Sequence, residues 1–218
     1  MTCTVRPYTP ADETGWLRCR VLAFLGTQYY DDVKPRRTTF DRPALSLVAE
    51  ADDGTVAGLI DIELDGEAAT IDTVAVHPDH ARQGIATALL TAAVPPAAAA
   101  GAVTLDAWTR EDAAANAWYR ASGFLECYRY LHVYKNADEP ADGFTVPDGL
   151  SGPVTAFMHA DISREAELRA RYTRVHVCRQ YRRILPVPHD TRRANALRGG
   201  SERSSKSKAE DFRGQLAT

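Results

Sequence analysis

One junction in the chain gathers residues suited to holding an anion. In "VAVHPDHARQGIATALL", residues 74–90, an apolar run ends at His77-Pro78 and a helix rich in small residues opens after Gly84. A helix N-terminus carries unpaired backbone N–H groups and about half a unit of positive charge, which suits phosphate oxygens. Gly84 lets the backbone approach a bulky anion, Ala86 leaves room above it and Arg82 adds charge, with Ala81, Gln83 and Ile85 completing the turn. Neither the G-x-G-x-x-G of a dinucleotide fold nor the G-x-x-x-x-G-K-[ST] of a P-loop occurs, so a single glycine would serve the phosphate here.

Other residues could do chemistry but are less organised. Tyr29, Tyr30, Asp31 and Asp32 lie in "TQYYDDVKPRRTTFDRP", residues 27–43, which lacks periodicity. They could form an aromatic, acidic collar for a cationic amine, or simply pack and solvate a loop. His132, His159 and His176 fall on separate elements without metal-ligand spacing and read as core or surface histidines. Cys3, Cys19, Cys127 and Cys178 form no C-x-x-C pair and read as small buried hydrophobes.

The elements that must position these groups follow from pattern. "CTVRPY" alternates as a strand, and Thr9-Pro10 opens a helix through "WLRCRVLAFL". Three strand-like runs, "LSLVAEA", "TVAGLIDIEL" and "ATIDTVAV", are separated by Asp52-Asp53-Gly54 and Asp65-Gly66, strong hairpin signals. After the junction, Pro95-Pro96 should cut the alanine-rich helix short, "AVTLDAW" reads as a buried strand and "EDAAANAWYRASGF" as a short helix ending at Gly123. "CYRYLHVY" and "PVTAFMHA" read as two more strands, and "REAELRARYTRVHVCRQYRR" as a long arginine-rich helix with Leu168, Tyr172 and Val175 inward.

Composition bounds the setting. The 218 residues are 44% hydrophobic, enough for a packed core. No apolar run is long enough to cross a membrane and the first residues lack a leader pattern, so a cytosolic location is expected. Residues 1–160 hold 12 Lys and Arg against 22 Asp and Glu, and residues 161–218 hold 14 against 7. The acidic body favours a cationic ligand over nucleic acid. Residues 186–218 have too few large apolar residues to offset their ordering entropy and read as a disordered basic tail, leaving one domain over 1–185.

With these motifs in this order, the chain resembles the GNAT superfamily of N-acetyltransferases, whose signature [QR]-x-x-G-x-[GA] follows a V-x-P strand end. Gly84 and Ala86 match its two small positions, while Ala81 stands where Gln or Arg is usual. "DAAANAWYRASGF", residues 112–124, is similar to a second family segment, with Asp112 in place of the usual Asn that holds the pantetheine arm. The resemblance covers roughly residues 3–135. It implies an α/β (α+β) fold, a mixed and mainly antiparallel central sheet of about seven strands flanked by helices, with acetyl-CoA as co-substrate and no metal. It implies that the strand ending at Val76 and the one ending near Trp108 splay, with Val74 and Val76 offering backbone partners to the coenzyme. Tyr119 falls on the tyrosine that protonates the departing thiolate.

The reaction implied is direct attack by a primary amine of a small molecule or peptide. A carboxylate must then assist deprotonation, because amines have pKa values of about 8 to 10. Alternation puts Asp72 on one strand face with Val74 and Val76, which makes it the candidate base, with Glu63 in reserve. The competing reading is a non-catalytic acyl-CoA-binding module whose basic C-terminal region contacts an acidic partner or nucleic acid. Acceptor and oligomeric state, a homodimer included, are not legible.

Overall fold

The computed structural model describes residues 3–186, so the expected tail lies outside the described residues. Strands β1 (Cys3–Pro7), β2 (Ala44–Ala51), β3 (Val56–Asp65), β4 (Ala68–Val76), β5 (Thr104–Thr109), β6 (Leu125–Lys135), β7 (Ala156–Ala160) and β8 (Arg174–Ile184) form one sheet. Their order is β1-β2-β3-β4-β5-β8-β6-β7, and only β4 and β5 pair in parallel. The helices are α1 (Glu13–Leu25), α2 (Ile85–Ala99), α3 (Ala113–Ala121) and α4 (Glu165–Arg171). Asp52-Asp53-Gly54 and Asp65-Gly66 do turn the β2–β3 and β3–β4 hairpins, with Gly54 and Gly66 at positive φ.

The eighth strand corrects the long C-terminal helix. Helicity stops at Arg171, and residues 174–184 run as β8 between β5 and β6, antiparallel to both. Val175 and Val177 recur every second residue and fill a core with Leu131, Val133 and Leu168, a period that suits a strand and not a helix. The arginines around them had suggested a solvated helix face.

The prolines also behave differently from expectation. Helix α2 runs through Pro95 and Pro96 to Ala99. Both prolines are exposed, as are Thr91 and Ala92, whose carbonyls lose their helical partners, so those groups lie on the solvent side of the helix, where losing a partner costs least. Meanwhile Ala93, Val94, Ala97 and Ala98 stay buried on the sheet side and hold the helix in place.

Each face of the sheet has its own cover. Helix α2 packs against Ala49, Ile60, Ile62, Ile71 and Leu105 on one face, joined there by α3 through Tyr119. Helix α1 packs Trp16 and Cys19 against Val48, Leu59 and Ala75 on the other. Gly58 sets the height of α2, since a Cβ there would stand 2.5 Å from Ile85 Cγ2 and 3.3 Å from the Ala75 carbonyl oxygen. Helix α4 covers β6 and β8 on the α2 face, so the α1 face over β5, β8, β6 and β7 carries no helix among the described residues. No described helix is long and apolar enough to cross a membrane.

Candidate active site

The β4–β5 ladder ends at Ile71↔Ala107, although β4 continues to Val76 and β5 to Thr109. Past that rung the strands part, and a cleft of about 520 Å3 opens between them and passes through the sheet. Val74, Val76, Ala86 and Tyr119 line its α2 side, and Asp72, Tyr29 and Asp32 its α1 side, with Trp108 and Asp112 alongside. Eight expected site residues therefore meet in one place. Glu63 does not line the cleft; it lies on β3 opposite Thr70.

Alternation misplaces Asp72. Asp61↔Thr73 is followed directly by Ile62↔Ile71, so β4 carries one extra residue at Asp72. Parity switches there: Ile71 packs on the α2 side, as do Val74 and Val76, while Asp72 turns with Thr73 toward α1. Its Oδ2 accepts hydrogen bonds from Lys34 Nζ at 3.3 Å, Thr38 Oγ1 at 3.2 Å and Thr73 Oγ1 at 2.9 Å. The bulge thus aims a carboxylate at one mouth of the cleft and two valines at the other.

At the second mouth, α2 begins with Gly84 at φ 79° and no side chain capping its first turn. Arg82, at φ 61°, is the one non-glycine left-handed residue among those described. Such a conformation costs about 1 to 3 kcal/mol and gathers at functional loops. Ala81, Arg82, Gln83 and Gly84 are all exposed, and nothing lies within 4 Å of where a Gly84 Cβ would stand. The loop is strained and open.

Tyr119 is 4% exposed, stacked on Tyr181 at 5.3 Å and edge-on to Phe124. Burial pushes its hydroxyl well above the usual tyrosine range, which keeps it protonated at neutral pH. Asp112 caps α3 by accepting from Ala115 N at 2.7 Å. The sequence reading missed Asn116, one turn further, whose Nδ2 donates to the Arg110 and Asp112 carbonyls while its Oδ1 accepts from Tyr181 Oη at 2.9 Å. Its i, i+4 spacing from Asp112 was the available signal.

The acidic collar is not one. Arg174 holds Asp31 through two hydrogen bonds, at 2.6 and 2.8 Å, and depresses its pKa, and the buried Arg20 holds Asp32 at 2.8 Å. The Tyr29 hydroxyl accepts from Arg110 N at 2.8 Å, and burial pushes its pKa up to about 12. Tyr30 is half exposed and lies against the Arg174 guanidinium, outside the cleft. Loop 27–43 is thus clamped by arginines, and Asp31 and Asp32 are both paired with them.

The three histidines are not scattered either. His132 pairs with His159 on β7 and with His176 on β8, so they form a row across three strands. Burial, then Arg110 and the other two imidazoles, push His132 down to about 3. Since an unfolded His takes up its proton near 6.5, stability from this group is complete above about pH 6.5 and is lost as pH falls toward 3. His132→Gln should therefore lose less stability than the wild type between pH 7 and 5 in urea unfolding. Equal losses would remove His132 from that account. The cysteines are all free; Cys19 and Cys178 are buried as expected, but Cys127 is exposed.

Comparison with known proteins adds the family. Residues 12–124 match the model of the Acetyltransferase (GNAT) family. A mycothiol acetyltransferase of Clavibacter michiganensis subsp. michiganensis (strain NCPPB 382) is 33% identical over 127 residues, which cover 55% of this chain but only 41% of that protein. The ribosomal-protein-S18-alanine N-acetyltransferase of Escherichia coli superposes with a TM-score of 0.55 at 16% identity, covering 87% of this chain and 98% of its own. Nourseothricin acetyltransferase gives 0.51 at 20%, covering 85% and 100%. The PaiA N-acetyltransferase of Thermoplasma acidophilum, solved with coenzyme A, gives 0.50 at 15%, covering 58% and 92%. At such identities the structures speak for the fold, and the family match over more than half of the sequence completes the identification: the chain belongs to the GNAT acetyltransferase family.

Proposed function

We propose that the protein is an acetyl-CoA-dependent N-acetyltransferase that acts on a primary amine of a small molecule or peptide by direct attack. The observation that carries this reading is the cleft through the sheet, with the uncapped α2 N-terminus at one mouth, a carboxylate at the other and Tyr119 in its wall. Residues 82–86 fit a pyrophosphate, because the turn is exposed, leaves space above Gly84 and adds the charge of Arg82. The edge of β4 freed from β5 at Val74 and Val76 suits an extended pantetheine arm. Acetyl-CoA supplies an activated carbonyl with a thiolate leaving group.

The remaining work falls to side chains. Asp72 takes the proton of the amine, directly or through water, from the α1 mouth. Tyr119 returns a proton to the sulfur, which its raised pKa permits because it is protonated before the step. Neighbours of this fold bear the names of very different acceptors, so they support the transfer and leave the acceptor open.

Acetyl-CoA-dependent thiol release with a panel of amines, products identified by mass, tests the reading. Binding of acetyl-CoA without transfer to any amine would instead favour a binding module. Tyr119→Phe keeps the ring and removes only the hydroxyl. General acid catalysis is worth about 10²- to 10⁴-fold, but a thiolate of conjugate pKa about 8.5 leaves fairly well unaided. The maximal rate should drop on the order of tenfold to a hundredfold with acetyl-CoA affinity unchanged. Full turnover at saturating acceptor would reduce Tyr119 to packing.

A further inference from the structure

The direction from which an acceptor reaches the cleft is constrained by what covers the sheet. The α2 face is taken by α2 and α3, and its mouth by the proposed phosphate loop. The acceptor must come from the α1 face, where Asp72 points. On that face α1 closes the side over β3 and β4, and Phe24, Tyr29 and Arg20 wall the cleft there. The open approach lies over β5, β8, β6 and β7.

That approach is paved with rings. Trp108, in the cleft, stands edge-on to Tyr128 at 6.2 Å and to Tyr130 at 5.6 Å, and these two stack at 6.0 Å. The row continues from Tyr130 to His159 at 5.1 Å and from His159 to Phe157 at 4.9 Å, and Phe157 is half exposed. The imidazoles of the floor are uncharged at neutral pH, because burial lowers the pKa of His132 and His159 alike. At its border Asp106 is already engaged by Arg182 at 2.7 and 2.8 Å and by Gln180 at 3.1 Å. A cationic substituent therefore finds Asp106 already spent, and the buried Arg110 guanidinium is taken up by His132, Tyr134 and the Gln28 carbonyl, whereas an aromatic ring finds edges and faces to pack on.

We propose that this floor is the acceptor subsite and that the acceptor is an arylalkylamine, its ring on Trp108 and Tyr128 and its nitrogen toward Asp72. The proposal rests on the acetyltransferase reading of the same cleft. Its atoms balance as that reaction does: the N–C bond forms, the S–C bond breaks, one amine proton passes to Asp72 and the sulfur receives one from Tyr119.

The test compares 2-phenylethylamine and tryptamine with n-butylamine and 1,4-diaminobutane, by steady-state acetylation and by calorimetric binding to the full chain. The aryl amines should have a kcat/KM higher by about tenfold, the equivalent of about 1.4 kcal/mol, and should bind correspondingly more tightly than the alkyl amines. Trp108→Leu should raise the KM of the aryl amines on the order of tenfold and that of n-butylamine far less, and Trp108→Phe should restore it. Tyr128→Ser, at a half-buried site, should act in the same direction if Trp108→Leu fails to fold. Equal use of aryl and alkyl amines overturns the proposal, as does a Trp108→Leu effect common to every amine. A stable dimer in sedimentation that Phe157→Asp dissociates with acceptor KM unchanged also overturns it, because the floor is then a contact between copies of the chain. Failure of acetyl-CoA itself to bind is read in a separate titration and counts against the transferase reading, while amine binding still decides the fate of the floor.

Discussion

Gly84→Glu should abolish acetyl-CoA binding in a protein that still folds. The substitution puts a carboxylate into the space above the α2 N-terminus, where no other atom comes within 4 Å, so it displaces no packed group. Its structural cost is the left-handed backbone at φ 79°, about 1 to 2 kcal/mol for a residue with a Cβ. Its effect on a phosphate is far larger. Like charges about 4 Å apart at an effective dielectric of about 20 repel by about 4 kcal/mol, which corresponds to a loss on the order of a thousandfold in affinity. Gly84→Asn separates the two terms, since asparagine tolerates this conformation and carries no charge; it should bind within a few-fold of wild type. Calorimetric affinity unchanged in Gly84→Glu would move the pyrophosphate away from residues 82–86.

The largest loss of stability is expected from Asp61→Ala. Asp61 is 1% exposed on β3, where Oδ2 accepts from the fully buried Trp16 Nε1 at 3.0 Å and Oδ1 accepts from Arg37 at 2.6 Å. Arg37 also donates to Ser46 Oγ and lies over the Tyr8 ring at 4.3 Å, so one carboxylate ties α1, β2 and loop 27–43 together. Removing it strands an indole N–H and a guanidinium. Breaking a buried pair by losing one partner costs about 3 to 5 kcal/mol, and the lower end applies because the Arg37 side chain is 17% exposed and can turn to water. At about 2 to 4 °C per kcal/mol for a domain of this size, the melting temperature should fall by about 10 °C. Asp61→Asn, which can still accept from Trp16, should lose clearly less. A melting temperature within 2 °C of wild type for Asp61→Ala, a bound of about 1 kcal/mol, would show that the network contributes little.

What could be read from the sequence was local. The Asp-Gly turns, the strand ending at His77 and the glycine before α2 are each written in a few adjacent residues, and they place the proposed phosphate loop, whereas the parting of β4 from β5 was implied only by the family resemblance. Long-range pairing was not legible. Asp31 and Asp32 look like free acids because Arg174, the partner of Asp31, lies 143 residues away. His132, His159 and His176 become neighbours only through the register of β6 with β7 and β8. Asp72 was assigned to the wrong face because one extra residue in a strand reverses parity without a sequence signal. β8 was taken for a helix because arginines crowd the segment around its valines, and the gap between β5 and β6 that demands a strand is invisible in the segment itself.

The place of β8 also sets an order of events during synthesis. Residues 174–184 follow every other strand among the described residues, yet they sit between β5 and β6 as the seam of the sheet. Until they emerge from the ribosome, β5 from Thr104 to Thr109 and β6 from Leu125 to Tyr134 each present a row of unsatisfied backbone groups to any other nascent chain. A premature stop between Ala160 and Arg174 therefore does more than shorten the protein. It leaves the half that carries the cleft and the half that carries the ring-lined floor without the strand that joins them, and it turns two interior edges into sites for aggregation.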